Sequence, residues 1–227
     1  MDETLKKTKN MVTKKKTRIK PPIYVKIKRR LRYGLICYSL MEILKKIGIQ
    51  VSPYYLYQEN IPENTNDQLK KQAEEYSLEI LGISEIKPLE EKFRMKNGEL
   101  LKLLESGEEC IGMRLSGEIV AFSWVNYNEI RHKLTNINLK NNEAYLKTMH
   151  TLESHRGRNL APILRLKCYD ILKHNGKDIV YSISEYWNGP AVRFKEKLNA
   201  KKLKLILYVE VFNKFKRTYI LKSYTKS

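Results

Sequence analysis

The segment from residue 144 to residue 184 constrains the fold more than any other part of the sequence. Ala144 to Leu152 (AYLKTMHTL) has the composition of a strand, and Asp178 to Ser184 (DIVYSIS) predicts a second one. A basic, glycine-containing loop and a helix lie between them, and Gly176 is a good helix terminator. A strand, a helix and a further strand in this order predict an α/β fold, in which helices cover a mixed sheet.

The helix of this segment has one apolar face. Asn159 can serve as its N-cap, and Pro162 falls in its first turn, where proline is tolerated. Its apolar residues form one stripe at helical spacing: Leu160, Ile163, Leu164, Cys168, Ile171 and Leu172. The stripe predicts that this helix packs on the sheet.

Segments on either side extend the pattern. Two β-rich runs, from Cys110 and from Glu118, flank the Ser116-Gly117 turn and predict a β-hairpin. Further strands are predicted at 51–58, 78–84, 203–212 and 217–221, and further helices at 23–49, 66–77, 88–104 and 190–198. We therefore expect an α/β fold with a mixed sheet, preceded by a basic N-terminal arm and helix.

Positive charge is concentrated at the start of the chain. The formal net charge is +19, and residues 1–30 hold twelve Lys and Arg against two acidic residues. Residues 1–22 are rich in Lys and Thr and end in two prolines, which predicts a disordered basic arm. We expect residues 23–77 to form a helical extension with a strand, and residues 78–227 to form the main domain.

The composition also excludes several classes of protein. Cys37, Cys110 and Cys168 have no metal-ligand spacing, and an odd, sparse set argues against a disulfide framework. There is no apolar run of 18 residues, so we expect no transmembrane helix. No apolar run leads to a cleavage site near the N-terminus, so we expect no signal peptide. These features indicate a cytoplasmic protein that uses no metal.

The loop before the helix has the residues of a phosphate site. The first amides of a helix have no intrahelical partners, and the helix dipole adds positive potential there. Arg156 and Arg158, on either side of Gly157, would add positive charge beside those amides. The alternative is an ordinary solvated loop with a helix cap.

In this loop the sequence resembles the GNAT superfamily of acyl-CoA-dependent N-acyltransferases. The pyrophosphate loop of that family follows Arg/Gln-x-x-Gly-x-Gly/Ala. The run from Arg156 to Ala161 (RGRNLA) matches it at both ends, while Asn159 stands where the first motif glycine belongs. Asn tolerates the backbone angles that such a position needs.

Three other segments support the resemblance. The hairpin sequence at 117–124 (GEIVAFSW) is similar to the second and third strands of the family, and residues 144–151 are similar to its splayed fourth strand. Residues 188–200 (NGPAVRFKEKLNA) are similar to its Asn-x-x-Ser/Ala…Tyr-x-Lys-Leu-Gly-Phe ending, with Lys195 in the place of the tyrosine. The match covers about residues 78–227, and the resemblance implies a mixed, mostly antiparallel central sheet flanked by helices.

The resemblance implies transfer of an acetyl or other short acyl group from acyl-CoA to a primary amine, which attacks the thioester directly. Backbone amides of Met149 and Thr151 would polarise the thioester carbonyl. The full set of cofactor-binding residues implied is Met149, Thr151, Arg156, Gly157, Arg158, Asn159, Leu160, Ala161 and Asn188. The acceptor expected by analogy is a small molecule or glycan precursor, such as an amino sugar of bacterial surface-polysaccharide synthesis.

The acid and base of the reaction are less constrained. Candidate catalytic residues are His150, whose imidazole titrates near neutral pH, Tyr181 and Glu185. The alternatives are that His150 is a structural strand histidine, that Tyr181 is one of the many tyrosines of this chain, and that Glu185 is a solvated carboxylate at a strand end. Weaker candidates are Glu143 and Glu153 as bases and Tyr186 as a donor to the sulfur. Many relatives protonate the leaving thiolate with the tyrosine that Lys195 replaces here.

A second hypothesis is a GNAT-like binding module without activity that binds anionic membrane or RNA. No RNP-type, KH or zinc-ligand motif is present, so we expect no specific nucleic-acid partner. The basic arm and the helix after it, residues 1–46, have the layout of a peripheral membrane anchor. Weak contact with the inner face of the membrane is therefore an expectation alongside a cytoplasmic location.

Overall fold

The computed structural model describes residues 36–59 and 67–224. The predicted arm at 1–22, and residues 23–35 of the predicted helical extension, lie outside the described residues. The helices are α1 (Ile36–Lys46), α2 (Asp67–Glu74), α3 (Ile83–Lys92), α4 (Glu99–Glu105), α5 (Leu160–His174) and α6 (Gly189–Lys197). The strands are β1 (Ile49–Glu59), β2 (Ser77–Leu81), β3 (Glu109–Leu115), β4 (Glu118–Asn126), β5 (Glu129–His132), β6 (Thr135–Asn138), β7 (Glu143–Thr151), β8 (Ile179–Glu185), β9 (Lys201–Val211) and β10 (Phe215–Ser223).

One eight-stranded sheet organises the described chain. Its order is β10-β9-β1-β8-β7-β4-β3-β2, and β5 and β6 form a separate two-stranded ribbon. Only β7 and β8 pair in parallel; the other neighbours are antiparallel. Helix α5 supplies the crossover that a parallel pair requires. The prediction of a mixed, mostly antiparallel sheet flanked by helices is confirmed.

The strand β1 lies inside this sheet, between β8 and β9. The expected boundary at residue 78 is therefore a poor division of the fold, because an interior strand satisfies its amides and carbonyls with both neighbours. Leu69 and Ala73 of α2 also pack against the same core as α5. The compact unit begins at Met41, and residues 36–40 at the start of α1 are assigned to the other unit.

Both faces of the sheet are covered, as the alternation along β4 shows. Ala121 and Val125 contact a core that includes the apolar stripe of α5. Phe122 and Trp124 point to the opposite face and pack with residues of α3 and α4. Since successive side chains of a strand alternate between faces, β4 is apolar almost throughout and lies at the centre of the domain.

Local signals in the sequence placed most elements correctly. The hairpin of β3 and β4 turns at Ser116 and Gly117, which both have positive φ, at 49° and 83°. The helix expected from Pro88 to Leu104 is instead two helices, and Pro88 lies inside the first of them. Ile86 and Leu89 are buried on either side of Pro88, and their packing offsets the hydrogen bond that proline cannot donate.

Candidate functional site

The parallel strands β7 and β8 separate soon after they begin. Their pairing ends at Tyr145 and Tyr181. Beyond that point β7 remains paired with β4, and β8 remains paired with β1. The two strands therefore diverge and leave an opening in the middle of the sheet, lined by backbone groups that have no partner strand on that side.

A bulge in β7 lies beside this opening. Thr148 has φ of 47°, and the register with β4 shifts between the pairs Phe122–His150 and Trp124–Lys147. The amide of Leu152 donates to the carbonyl of Val120 at 2.8 Å. Because consecutive amides of a strand point to opposite sides, those of Met149 and Thr151 face away from β4 and towards the opening.

The loop after β7 leads the chain into α5 with two left-handed residues, Gly157 (φ 85°) and Asn159 (φ 60°). Asn159 occupies the N-cap position, but its side chain makes no capping hydrogen bond. Asn159 therefore stands at the expected N-cap position, but the expectation that its side chain caps α5 is wrong. Its contribution to the helix start is a left-handed backbone conformation. The first amides of α5 are left uncapped by Asn159, which suits an anion at this helix terminus.

A cleft of about 790 Å³ lies at the N-terminus of α5. Of the residues expected to bind the cofactor, those lining it are Met149, Thr151, Arg156, Gly157, Asn159, Leu160, Ala161 and Asn188. Arg158 does not line it and is exposed. The Nε atom of Arg156 lies 3.4 Å from the carbonyl oxygen of Thr151, so this guanidinium lies beside the opening. A cationic side chain and free helix amides are donors that fit a pyrophosphate, and the open position at Gly157 leaves room for it.

His150 also lines this cleft. Its ring stacks on Phe122, with centroids 5.3 Å apart and planes at 30°. Burial lowers the pKa of His150 below its ordinary value; Glu99 opposes this shift, and Arg156 reinforces it to a lesser extent. A neutral imidazole at pH 7 can accept a proton.

A second cavity, of about 560 Å³, lies on the other side of the opening. We call it the inner pocket. Glu185, at the end of β8, lines it and accepts a hydrogen bond from the hydroxyl of Tyr54 at 3.2 Å. The inner pocket is also lined by basic side chains: Lys133, Lys147, Arg165 and Lys195. Met149, Asn188, Ala191 and Phe194 line both cavities, so the inner pocket and the cleft share a wall.

Behind the inner pocket lies a buried polar cluster that the sequence analysis missed. Glu59, at the end of β1, lies 3.3 Å from Nε of Arg165 and 3.7 Å from Nζ of Lys195. Ser182 and Tyr169 donate hydroxyl hydrogen bonds to the same carboxylate. One available signal was an arginine within the apolar run of α5 (ILRL), since a charged side chain in such a run requires a partner.

The pKa values of Glu59 and Lys195 are both lowered, but for different reasons. It disfavours the charged form of Glu59, but Arg165, Lys195 and the two hydroxyls hold the pKa of that carboxyl below its usual value. Burial lowers the pKa of Lys195 to about 7, with Glu59 opposing this shift and Arg165 reinforcing it. Lys195 can therefore exchange a proton near neutral pH.

The remaining candidates lie elsewhere. Tyr181 lines neither cavity, and its hydroxyl donates to Glu143 at 3.2 Å, near the start of β7. It precedes Glu185 by four residues, which is about 13 Å along a strand. Glu143 is buried, whereas Glu153 is exposed and lies 3.8 Å from Arg94. Tyr186 contacts the rings of Tyr55 and Trp187.

Two features are absent from the described residues. None of the helices among them combines the length and apolar character needed to cross a membrane. Residues 36–59 and 67–224 also contain no group of three or more His, Cys, Asp or Glu side chains placed to hold a metal ion.

Comparison with known structures identifies the same fold in GNAT proteins. A protein described as a GNAT-family acetyltransferase from Novosphingobium aromaticivorans is 16% identical, with a TM-score of 0.51 over 72% of this chain and 66% of that chain. A GNAT-family acetyltransferase from Colwellia psychrerythraea is 13% identical, with a TM-score of 0.52 over 85% and 75%. The present chain thus spans just under two thirds of the Novosphingobium protein.

A third similar structure is the glucosamine N-acetyltransferase region of a fungal multi-domain β-N-acetylglucosaminidase. It is 13% identical, with a TM-score of 0.56 over 76% of this chain and 22% of that chain. At these identities the likeness concerns the fold. No curated protein matches this chain by sequence.

The family model of the GNAT acetyltransferases matches residues 68–200. The matched region includes the bulged strand β7, the loop at the N-terminus of α5 and the turn before α6, which together form the cleft. With more than half of the sequence covered, the chain belongs to the acetyltransferase (GNAT) family.

Proposed function

We propose that this protein transfers an acetyl group from acetyl-CoA to the primary amine of a small molecule. The observation that carries this proposal is the shared wall between the cleft and the inner pocket. A thioester bound with its pyrophosphate at α5 would direct its acyl end towards Met149 and Thr151, and an amine in the inner pocket would reach it across that wall. Acetyl-CoA supplies the activated acetyl group.

The chain offers groups for each part of such a reaction. The amides of Met149 and Thr151 face the opening and can donate to a carbonyl oxygen that gains negative charge. The amine forms the new C–N bond as the C–S bond breaks, and one proton passes from nitrogen to sulfur. His150 in the cleft and Glu185 in the inner pocket are the proposed proton acceptors. Tyr181 is not part of the proposed site.

An amino sugar is the acceptor that we propose within this class. A cavity of about 560 Å³ is in the range that small-molecule sites occupy. Its hydroxyl, carboxylate and ammonium side chains offer the mixed donors and acceptors that a sugar requires, among them Tyr54, Ser184 and Glu185. The family resemblance and the size and polarity of the pocket support this proposed acceptor.

A CoA titration followed by a transfer assay tests the proposal. CoA at 100 times its Kd would stabilise the protein by about 2.7 kcal/mol, which thermal unfolding detects. Release of the CoA thiol from acetyl-CoA would then be measured with glucosamine and with simple primary amines. Stabilisation by CoA with amine-dependent thiol release supports the proposal. An absence of any CoA effect would instead favour the alternative of an inactive GNAT-like binding module.

A further inference from the structure

The buried cluster behind the inner pocket has two cationic groups and one carboxylate. Glu59 is almost completely buried, as are Arg165 and Lys195. The ammonium group of Lys195 has a hydrogen-bond partner, because its Nζ donates to Oγ of Ser182 at 2.6 Å. The carboxylate of Glu59 already accepts hydrogen bonds from Ser182 and Tyr169. One anionic side chain is thus shared by two buried cations and two hydroxyl donors.

Arg165 is left with unused donors. Its Nε lies 3.3 Å from Glu59, but neither Nε nor Nη1 has a hydrogen-bond partner among the described residues, and both atoms are buried. A guanidinium carries five N–H donors in a planar fork that suits the two oxygens of a carboxylate or phosphate. Unpaired charged donors away from water are costly, so this arrangement is incomplete without another acceptor.

Both cations form part of the wall of the inner pocket. Two other lysines line it as well. Lys147 is paired with Glu108 at 2.6 Å, whereas Lys133 lies over the rings of Tyr54 and Tyr208 at the exposed side. Burial lowers the pKa of His132 in this wall to about 4, and Lys133 and Lys147 contribute to that shift, so the ring is neutral at pH 7. Glu185 is the carboxylate that lines the inner pocket together with these groups.

We propose that Arg165 and Lys195 bind the anionic group, a carboxylate or a phosphate, of the amine that the inner pocket accepts. This proposal rests on the proposed function and narrows its substrate class to amines that also carry a negative charge. An anion at this position would give Arg165 the acceptor that it lacks and would favour the charged form of Lys195. The amine of the same molecule would lie towards Glu185 and the shared wall.

The anion site can be tested without turnover. Saturating CoA would first fill the cleft, so that added anions report on the inner pocket. Thermal unfolding would then be followed during titration with inorganic phosphate, with acetate and with sodium chloride at matched ionic strength. We expect phosphate or acetate to raise Tm saturably, and chloride not to do so. Equal effects of all three salts would overturn the proposal.

Two variants locate the effect. Arg165→Met should weaken the apparent affinity for the effective anion at least tenfold, whereas Lys173→Met, an exposed change of the same charge on the same helix, should leave it unchanged. Equal weakening, or none in either variant, contradicts the proposal. If Arg165→Met does not fold, Lys195→Met replaces it, with the same expected loss of at least tenfold.

Matched acceptors give a second measurement on the unmodified protein. Glucosamine 6-phosphate is compared with glucosamine, and β-alanine with β-alaninamide. In one pair we expect kcat/KM to be at least tenfold higher for the anionic member, mainly because its KM is lower. The pair that shows this difference tells whether the site prefers a phosphate or a carboxylate. Equal values within both pairs overturn the anion site while leaving acetyl transfer intact. A protein that neither binds CoA nor acetylates any amine contradicts the proposed function instead, and a titration with phosphate or acetate alone then decides the anion site.

Discussion

Nζ of Lys195 lies 3.7 Å from Oε1 of Glu59, and the two residues are 136 positions apart in the chain. Glu59 ends the interior strand β1, and Lys195 lies on α6, after the divergence of β7 and β8. Their contact joins the strand that precedes the matched family region to the helix that lines both cavities. We therefore expect changes at this pair to affect both stability and the proposed substrate binding.

Removing the carboxylate of this pair should destabilise the fold strongly. Glu59→Gln leaves Arg165 and Lys195 without an anionic partner in a buried site. We expect the free energy of unfolding to fall by about 3–5 kcal/mol, which is typical when one partner of a buried ion pair is removed. Urea denaturation measures it. Glu74→Gln, on the exposed side of α2, is the matched control and should change stability by less than ~0.5 kcal/mol. Similar values for the two variants would be evidence against an essential buried cluster.

The pH dependence of stability should report the lowered pKa of Lys195. Its pKa is about 7 in the folded protein, against about 10.4 for an unperturbed lysine. Between these values the unfolded chain binds more protons at this site, so the free energy of unfolding rises with pH. Relative to Lys195→Met, the parent protein should gain up to ~1.4 kcal/mol per pH unit from pH 7.5 to 9, and nothing below pH 6. Denaturation curves at several pH values test this. Parallel pH profiles of the two proteins would show that Lys195 stays charged.

The two arginines of the loop before α5 should contribute unequally to CoA binding. Arg156 lines the cleft and Arg158 does not. We expect Arg156→Glu to weaken CoA binding more than tenfold and Arg158→Glu to weaken it less than threefold, as measured by calorimetry. The double variant should keep the fold, because both side chains are exposed. If the double variant binds CoA as the parent does, the phosphate site at α5 is assigned wrongly.

Asn188 should have two separable roles. Its Oδ1 accepts a hydrogen bond from the amide of Ala191 at 3.3 Å and caps α6. Asn188→Ala should therefore cost ~1 kcal/mol of stability and raise KM for acetyl-CoA, because Asn188 also lines the cleft. Asn188→Ser keeps a capping oxygen but lacks the amide donor, so stability should be retained while KM still rises. Unchanged KM in both variants would remove Asn188 from the cofactor site.

The basic arm remains a separate prediction, since residues 1–35 lie outside the described part of the chain. Ile43 in α1 and Ile47 directly after it are exposed, as an interfacial segment would require. We propose weak, salt-sensitive attachment of residues 1–46 to anionic lipid. Co-sedimentation with anionic vesicles at low salt should recover the full chain, and less of a chain lacking residues 1–30. If neither form pellets, the arm has no membrane role.

Features that depend on neighbouring residues could be predicted from the sequence. The Ser116-Gly117 turn, the end of α5 near Gly176 and the apolar stripe of that helix follow from local conformational preference and periodicity. The loop from Arg156 to Ala161 was placed at a helix N-terminus for the same reason, and it lines the cleft there apart from Arg158.

Features that depend on distant residues were decided by the tertiary structure. Pro88 is held inside α3 because Ile86 and Leu89 are buried, and Tyr181 is removed from the site because β8 carries it to Glu143. The position of β1 within the sheet is set by its neighbours β8 and β9, which come more than 100 residues later. That position also brings Glu59 to Arg165 and Lys195. The sequence by itself determined the family and the position of the loop from Arg156 to Ala161 at a helix N-terminus, because local patterns encode both. The tertiary structure decided the inner pocket, because burial and charge pairing arise only when distant strands and helices meet.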